Sequence, residues 1–195
     1  MRSGDVTFIQ AARRAQIIGG AIEVVAELGW AKTSIRKIAD HVGLAMSAVL
    51  YHFGSKDKLV EAIVEAMYAA AFDVVIPAIE RETTASGKLA AYIRSNIAYF
   101  DTHRTHLAAL TQISSEDLRL SDETAERVAA LDPVAILAAG QADGEFGDFP
   151  PGSMAIALRG AVNAVVEKIL RQPEFDARSY GEDLVRIFDK AVAAT

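Results

Sequence analysis

Apolar residues recur at helical spacing along almost the whole chain, and strict alternation of the kind a half-buried strand needs is absent. Ile18, Ala21, Ile22, Val25 and Leu28 line one side of a first helix that Gly29 closes. Thr33-Ser34 then caps a short helix running to Asp40 or His41, and a second short helix is predicted from about Ala45 to Tyr51. Ser55 caps a long helix, with Asp57 placed in its first turn to suit the helix dipole. Pro77 is predicted to kink or end that helix, and Ser86-Gly87 to break the chain again. Leu89, Ile93, Ile97 and Phe100 stripe the next helix; others follow over His106–Ser114 and Glu123–Ala130 and from Asp132-Pro133. A loop from Gly144 to Gly152 leads to two closing helices, about 153–171 and 180–193, the second headed by a Ser179/Glu182 capping box. The pattern predicts an all-α fold of about nine helices.

Composition narrows the class. With 195 residues, 51% hydrophobic and 24% charged, the chain can bury a real core and is not a disordered tail. It has no cysteine, which excludes disulfides, thiol catalysis and thiolate metal sites. No apolar run approaches the ~20 residues of a membrane span, and the first residues lack the apolar core of a signal peptide. A soluble, cytoplasmic protein without membrane contact is expected. The net charge of −6 is unevenly spread: residues 1–60 carry eight Lys/Arg against five acids, and the remainder sums to −9. A basic end on an acidic body points one end at a polyanion.

Residues 33–53 make that partner concrete. Ala39 lies four residues before Gly43, with Ile38, Val42, Leu44 and Val49 as apolar neighbours. A helix-turn-helix needs a small residue where its two helices approach and a glycine for the positive φ of its turn. It also needs an apolar set that fixes the helix angle, so that the second helix can enter a major groove. Ala-x-x-x-Gly by itself fits an ordinary αα-hairpin as well.

The wider order is more specific: Arg14, Ile17, Ala21, Gly29-Trp30, Thr33-Ser34-Ile35, Ile38-Ala39, Gly43, then Leu50-Tyr51-His52-Phe53-Gly54-Ser55-Lys56-Asp57 and Leu59. Over about residues 13–62 this resembles the N-terminal domain of the TetR (tetracycline-repressor-like) family of transcriptional regulators. The resemblance implies a helix-turn-helix head over residues 1–55 and a helical body over 56–195 that binds a ligand and dimerises. The implied protein is a homodimer on double-stranded DNA with a palindromic operator, most often a repressor released by a small-molecule effector.

Carried over to this sequence, Thr33 and Ser34 meet a phosphate at the start of the first motif helix, Arg36 reads a guanine edge and Lys37 contacts a phosphate. Ala45, Met46, Ser47 and Ala48 face the groove, Tyr51 and His52 follow at the far end of the recognition helix, and Lys56 clamps the backbone. Where the family often has Ser or Thr this chain has Ala45 and Ala48, and where it often has Tyr it has Leu50. Readout therefore leans on Arg36, on thymine methyls and on DNA shape. The same departures keep an alternative in view, a dimeric helical small-molecule-binding protein whose DNA contacts have weakened. Gly19-Gly20 departs as well, either loosening the first helix or permitting close packing.

Other chemistry is thin. His103 and His106, with Asp101 and Glu116, fit an exposed helix end better than a metal site, and no catalytic or nucleotide-binding motif is present. No enzyme activity, cofactor or metal is expected. Tyr92, Asn96, Tyr99 and His103 form a polar-aromatic stripe that suits a ligand pocket, with Tyr68 and Phe72 completing its wall, and that equally suits a helix face buried against its neighbours or left in solvent. For the dimer, Ala155, Leu158, Val162, Val165 and Ile169 on the first closing helix and Leu184, Ile187 and Phe188 on the second are expected to form a twofold four-helix bundle. The same stripes could instead cover the chain's own core.

Overall fold

The computed structural model describes residues 3–113 and 120–194, with side chains from Phe8 onward. These residues form ten α-helices and one 3-10 turn at Trp30–Lys32. They divide into two compact units. The first contains Met1–Tyr68 and Thr105–Ser121, the second Ala69–Arg104 and Asp122–Thr195.

In the first unit α1 (Ser3–Leu28), α2 (Ile35–His41) and α3 (Met46–Phe53) pack with the first half of α4 (Lys56–Glu80) and with α6 (Arg104–Gln112). Its core is a cluster of buried apolar side chains: Ile17, Ala21 and Val25 from α1, Ile38 and Ala39 from α2, Val49 and Phe53 from α3, and Leu59, Ile63 and Val64 from α4. Ala109 from α6 and Ile113 just beyond its end enter the same cluster. The resemblance implies a head that ends at residue 55, whereas this unit also takes in the first part of α4 and α6.

Gly19 and Gly20 resolve differently. A Cβ on Gly20 would overlap the Val42 side chain, whereas one on Gly19 would meet nothing. Gly20 is therefore the contact point that lets α1 lie against the α2–α3 turn. Gly19→Ala is expected to stabilise the protein by ~0.5–1 kcal/mol through helix propensity. Gly20→Ala should lower stability by ~1–3 kcal/mol through overpacking. Denaturant titration of the two variants reads both signs, and equal shifts would contradict the assignment.

The long helix does not end at Pro77. It continues one turn to Glu80, and the Arg81 N–H bonds the Pro77 carbonyl. Ser86-Gly87 likewise lies inside the first turn of α5 (Ala85–Thr102), where the Thr84 hydroxyl caps the helix by accepting from the Gly87 N–H. Both residues were legible as breakers, yet an N-cap turns a breaker into a starting signal. By length and composition α4 would also suffice to cross a membrane, with mean hydropathy 1.8 over an 18-residue window. Here Leu59, Val60, Ile63, Val64, Met67, Phe72 and Val75 are buried by packing within the protein.

The second unit is built from the end of α4, α5, α7 (Asp122–Ala130), α8 (Val134–Ala142), α9 (Pro151–Arg171) and α10 (Ala177–Val192). Asp176 caps α10 through the Ser179 N–H, so the helix starts three residues earlier than predicted. Glu182, predicted as the partner of Ser179 in a capping box, instead takes a two-bond ion pair from Arg94 at 2.8 and 2.7 Å. Arg94 holds the Glu182 carboxyl below its ordinary range.

The predicted dimer stripes fall mostly inside this unit. Ala155, Leu158, Val162, Val165 and Ile169 are each at most 2% exposed within the single chain, and Leu184 and Phe188 are buried too. They are core, out of a partner's reach. Periodicity found the apolar face of each helix correctly, but that face is turned inward. Ile187, at 56%, is exposed, and so is Ile156 on α9, at 65%.

Candidate nucleic-acid interface

The helix-turn-helix is assembled from short-range chemistry. The Ser34 hydroxyl caps α2 by accepting the Lys37 N–H, satisfying one of the donors a helix start leaves open. Ala39 is 1% exposed, its smallness letting α2 and α3 close on each other. Gly43 takes φ 69°, the left-handed turn predicted for it, and the Leu44 N–H returns to the Ala39 carbonyl at 2.8 Å. α3 buries Val49 and Phe53, so its opposite side must face outward. That side carries Met46 at 49%, Leu50 at 36% and Tyr51 at 76% exposure, with Ser47 exposed between them.

Not every predicted contact is available. Thr33 is only 4% exposed; its hydroxyl donates to the Gly29 carbonyl at 2.8 Å and its N–H to the Trp30 carbonyl. It closes the 3-10 turn and has no group left for a phosphate. Ser34 is half-buried and Arg36 exposed, the latter 3.9 Å from Asp40, a distance that leaves the guanidinium open to a stronger partner. Lys37 is exposed and donates to the Lys32 carbonyl at 2.8 Å. Ala45 is exposed, while Ala48 and His52 are half-buried. Lys56 lies with its ammonium 4.0 Å from the Trp30 ring centroid and 3.1 Å from the Trp30 carbonyl. The ring fixes the cation without neutralising it. Leu50 was absent from the predicted contacts because its family counterpart is polar. Its exposure beside Met46 and Tyr51 puts it on the same face.

The residues predicted to bind an effector are assigned to both units. Tyr68 belongs to the first unit and packs against its core. Phe72, Tyr92, Asn96, Tyr99 and His103 belong to the second. Phe72 is buried under the Arg127 guanidinium, 4.3 Å from the ring centroid. Tyr92 and Tyr99 are buried as well, and burial pushes the Tyr99 hydroxyl up to about 12. Asn96 turns its amide back to the Tyr92 carbonyl at 2.8 Å. His103 stacks on Tyr99 with centroids 4.2 Å apart, and Asp101 is held by Arg104. Glu116 lies outside the described residues, and among those described no three His, Asp or Glu gather as a metal site would require.

Residues 17–63, which carry this turn and both its helices, match the sequence model of the family described as "Bacterial regulatory proteins, tetR family". Over residues 17–63 the head is similar to that family. The HTH-type transcriptional repressor Rv1474c of Mycobacterium tuberculosis is 41% identical over 49 residues, 25% of this chain and 26% of that protein. The match thus spans about a quarter of the curated relative's length. The fold extends further. A tetR-family regulatory protein from Rhodococcus RHA1 superposes with TM-score 0.76 at 22% identity, over 93% of this chain and 97% of that one. The transcriptional regulator FadR of Bacillus subtilis, solved with stearoyl-CoA, also gives 0.76, at 18% identity over 91% of this chain and 98% of that one. These likenesses extend the all-α fold over both units.

Proposed function

We propose that this protein is a dimeric DNA-binding transcriptional regulator of the cytoplasm, a repressor released from a palindromic operator by a small molecule. The observation that carries the reading is the outward face of α3: four adjacent exposed side chains on a helix whose other side is locked into the core. A similar head occurs in a protein described as a repressor. Met46 and Leu50 give this face an apolar character, so base readout runs through thymine methyls and shape, with Arg36 supplying the polar contact. Lys37 and Lys56 are the phosphate contacts that position it.

The effector is taken up in the second unit at Phe72, Tyr92 and Tyr99, each buried there, the rings offering apolar surface and the two tyrosine hydroxyls polar tips. That a fold of this kind can hold a large acyl ligand is supported by FadR with stearoyl-CoA. Release follows as a population shift: the effector binds better to a conformer whose α3 helices no longer match successive grooves. α4, which runs from the first unit into the second, is the covalent lever. Two heads are needed, and the exposed residues of α9 and α10, Ile156 and Ile187 among them, replace the buried stripes as the surface of the twofold contact.

Selecting bound duplexes from a random pool tests the reading. One enriched palindrome is expected, and no enrichment would refute it. On that operator Arg36→Ala should cost ~1–3 kcal/mol and relax preference at one base pair per half-site. An equal loss on every sequence would make Arg36 a phosphate contact instead.

A further inference from the structure

We infer that Arg14, assisted by Gln16, is a positioning residue that sets the recognition helix from behind and does not touch the DNA. The inference rests on the proposed DNA-binding function. α1 is helical from Ser3, yet no side chain from Phe8 to Gln16 is buried; burial begins at Ile17. Core packing therefore does not account for the identity of the residues just before Ile17. Their contacts do.

The Arg14 guanidinium donates through Nη1 to the His52 carbonyl at 2.5 Å and lies 4.3 Å from the centroid of the Phe53 ring. Phe53 is 7% exposed and anchored in the core, so the ring is a fixed platform. His52 belongs to the last turn of α3, where a helix leaves carbonyls without partners and carries partial negative charge. A cation bonded to one of those carbonyls and stacked on the adjacent ring complements both. One helical half-turn on, the Gln16 amide donates to the Val42 carbonyl at 3.3 Å, at the turn that leads into α3. Its oxygen accepts from Arg13 at 2.7 Å, which fixes which end of the amide faces Val42.

α1 thus holds the chain just before α3 and the end of α3 through two side chains. The N-terminus of α3 has no side-chain cap of its own, because Ala45 occupies that position. The helix is eight residues long, so these ties decide how it points. A rotation of α3 would displace Met46, Leu50 and Tyr51 together, without altering the cations that meet phosphate.

Three variants test this on a selected operator and a random duplex: Arg14→Ala, Arg14→Lys and Gln16→Ala. For Arg14→Ala, operator affinity is expected to fall about tenfold, the loss of one charge-assisted hydrogen bond. Affinity for the random duplex and the slope of log affinity against log salt should stay unchanged. Arg14→Lys keeps the charge but loses the planar stack, and should recover only part of the loss. If Arg14→Ala weakened both duplexes alike and reduced the slope by about one unit, Arg14 would be a phosphate contact and the inference wrong. Wild-type operator affinity in Arg14→Ala would also overturn it. Should Arg14→Ala fail to fold, Gln16→Ala is read for the same operator-selective loss, and wild-type behaviour there overturns the inference. A wild-type protein with no operator at all would instead be a failure of the proposed function, seen before any variant is made.

Discussion

Val165→Glu is expected to unfold the second unit. Val165 is 1% exposed within the single chain, so the new carboxylate is cut off from water. Burying an unpaired charge in a packed core costs about 4 kcal/mol or more, a large part of a domain's stability. Circular dichroism should show the loss of most helicity belonging to this unit, whatever the protein concentration. A folded monomer would mean that the α9 stripe faces a partner after all.

The opposite outcome is expected from Ile156→Glu combined with Ile187→Glu. Both side chains are more than half exposed, at 65% and 56%, and removing them leaves no cavity. Across a twofold axis each charge would meet its own copy, and the dimer should dissociate while helicity and melting of the monomer stay near wild type. With one head per particle, operator affinity should drop about 100-fold or more, since the second head no longer binds at high effective concentration. Sedimentation equilibrium reads the first effect and anisotropy the second. A dimer that survives both substitutions would place the contact on other elements.

These two variants mark where sequence and structure part. Periodicity finds the apolar face of a helix, because burial demands it, but it does not say whether the chain itself or a second copy covers that face. Val165 and Ile187 illustrate both cases. The head was more legible because its determinants are local: the Ser34 cap, the small Ala39 and the left-handed Gly43 each act within a few residues. Thr33 shows the limit even there. A hydroxyl at a helix start has two uses, and only the position of the Gly29 carbonyl shows which one it serves. Contacts that span the chain left no readable signal. Arg14 with His52 is separated by 38 residues, and α6 in the core of the head depends on Ala109 and Ile113, whose apolar character fits any helix. The capping box at Ser179 had the right pattern but lost to Asp176, because Arg94 reaches Glu182 from another helix.

On the proposed function, the exposed face of α3 reads DNA in the setting of a phosphate-contacting head. Equilibrium binding of the wild-type protein to its selected operator and to a random duplex, followed from 50 to 200 mM salt, on the order used for phosphate-dominated interfaces, tests it most directly. Affinity for both duplexes is expected to fall steeply as salt rises, while the operator stays tighter by a factor on the order of 10³ or more throughout. Equal affinity for the two duplexes, or binding indifferent to salt, would contradict it.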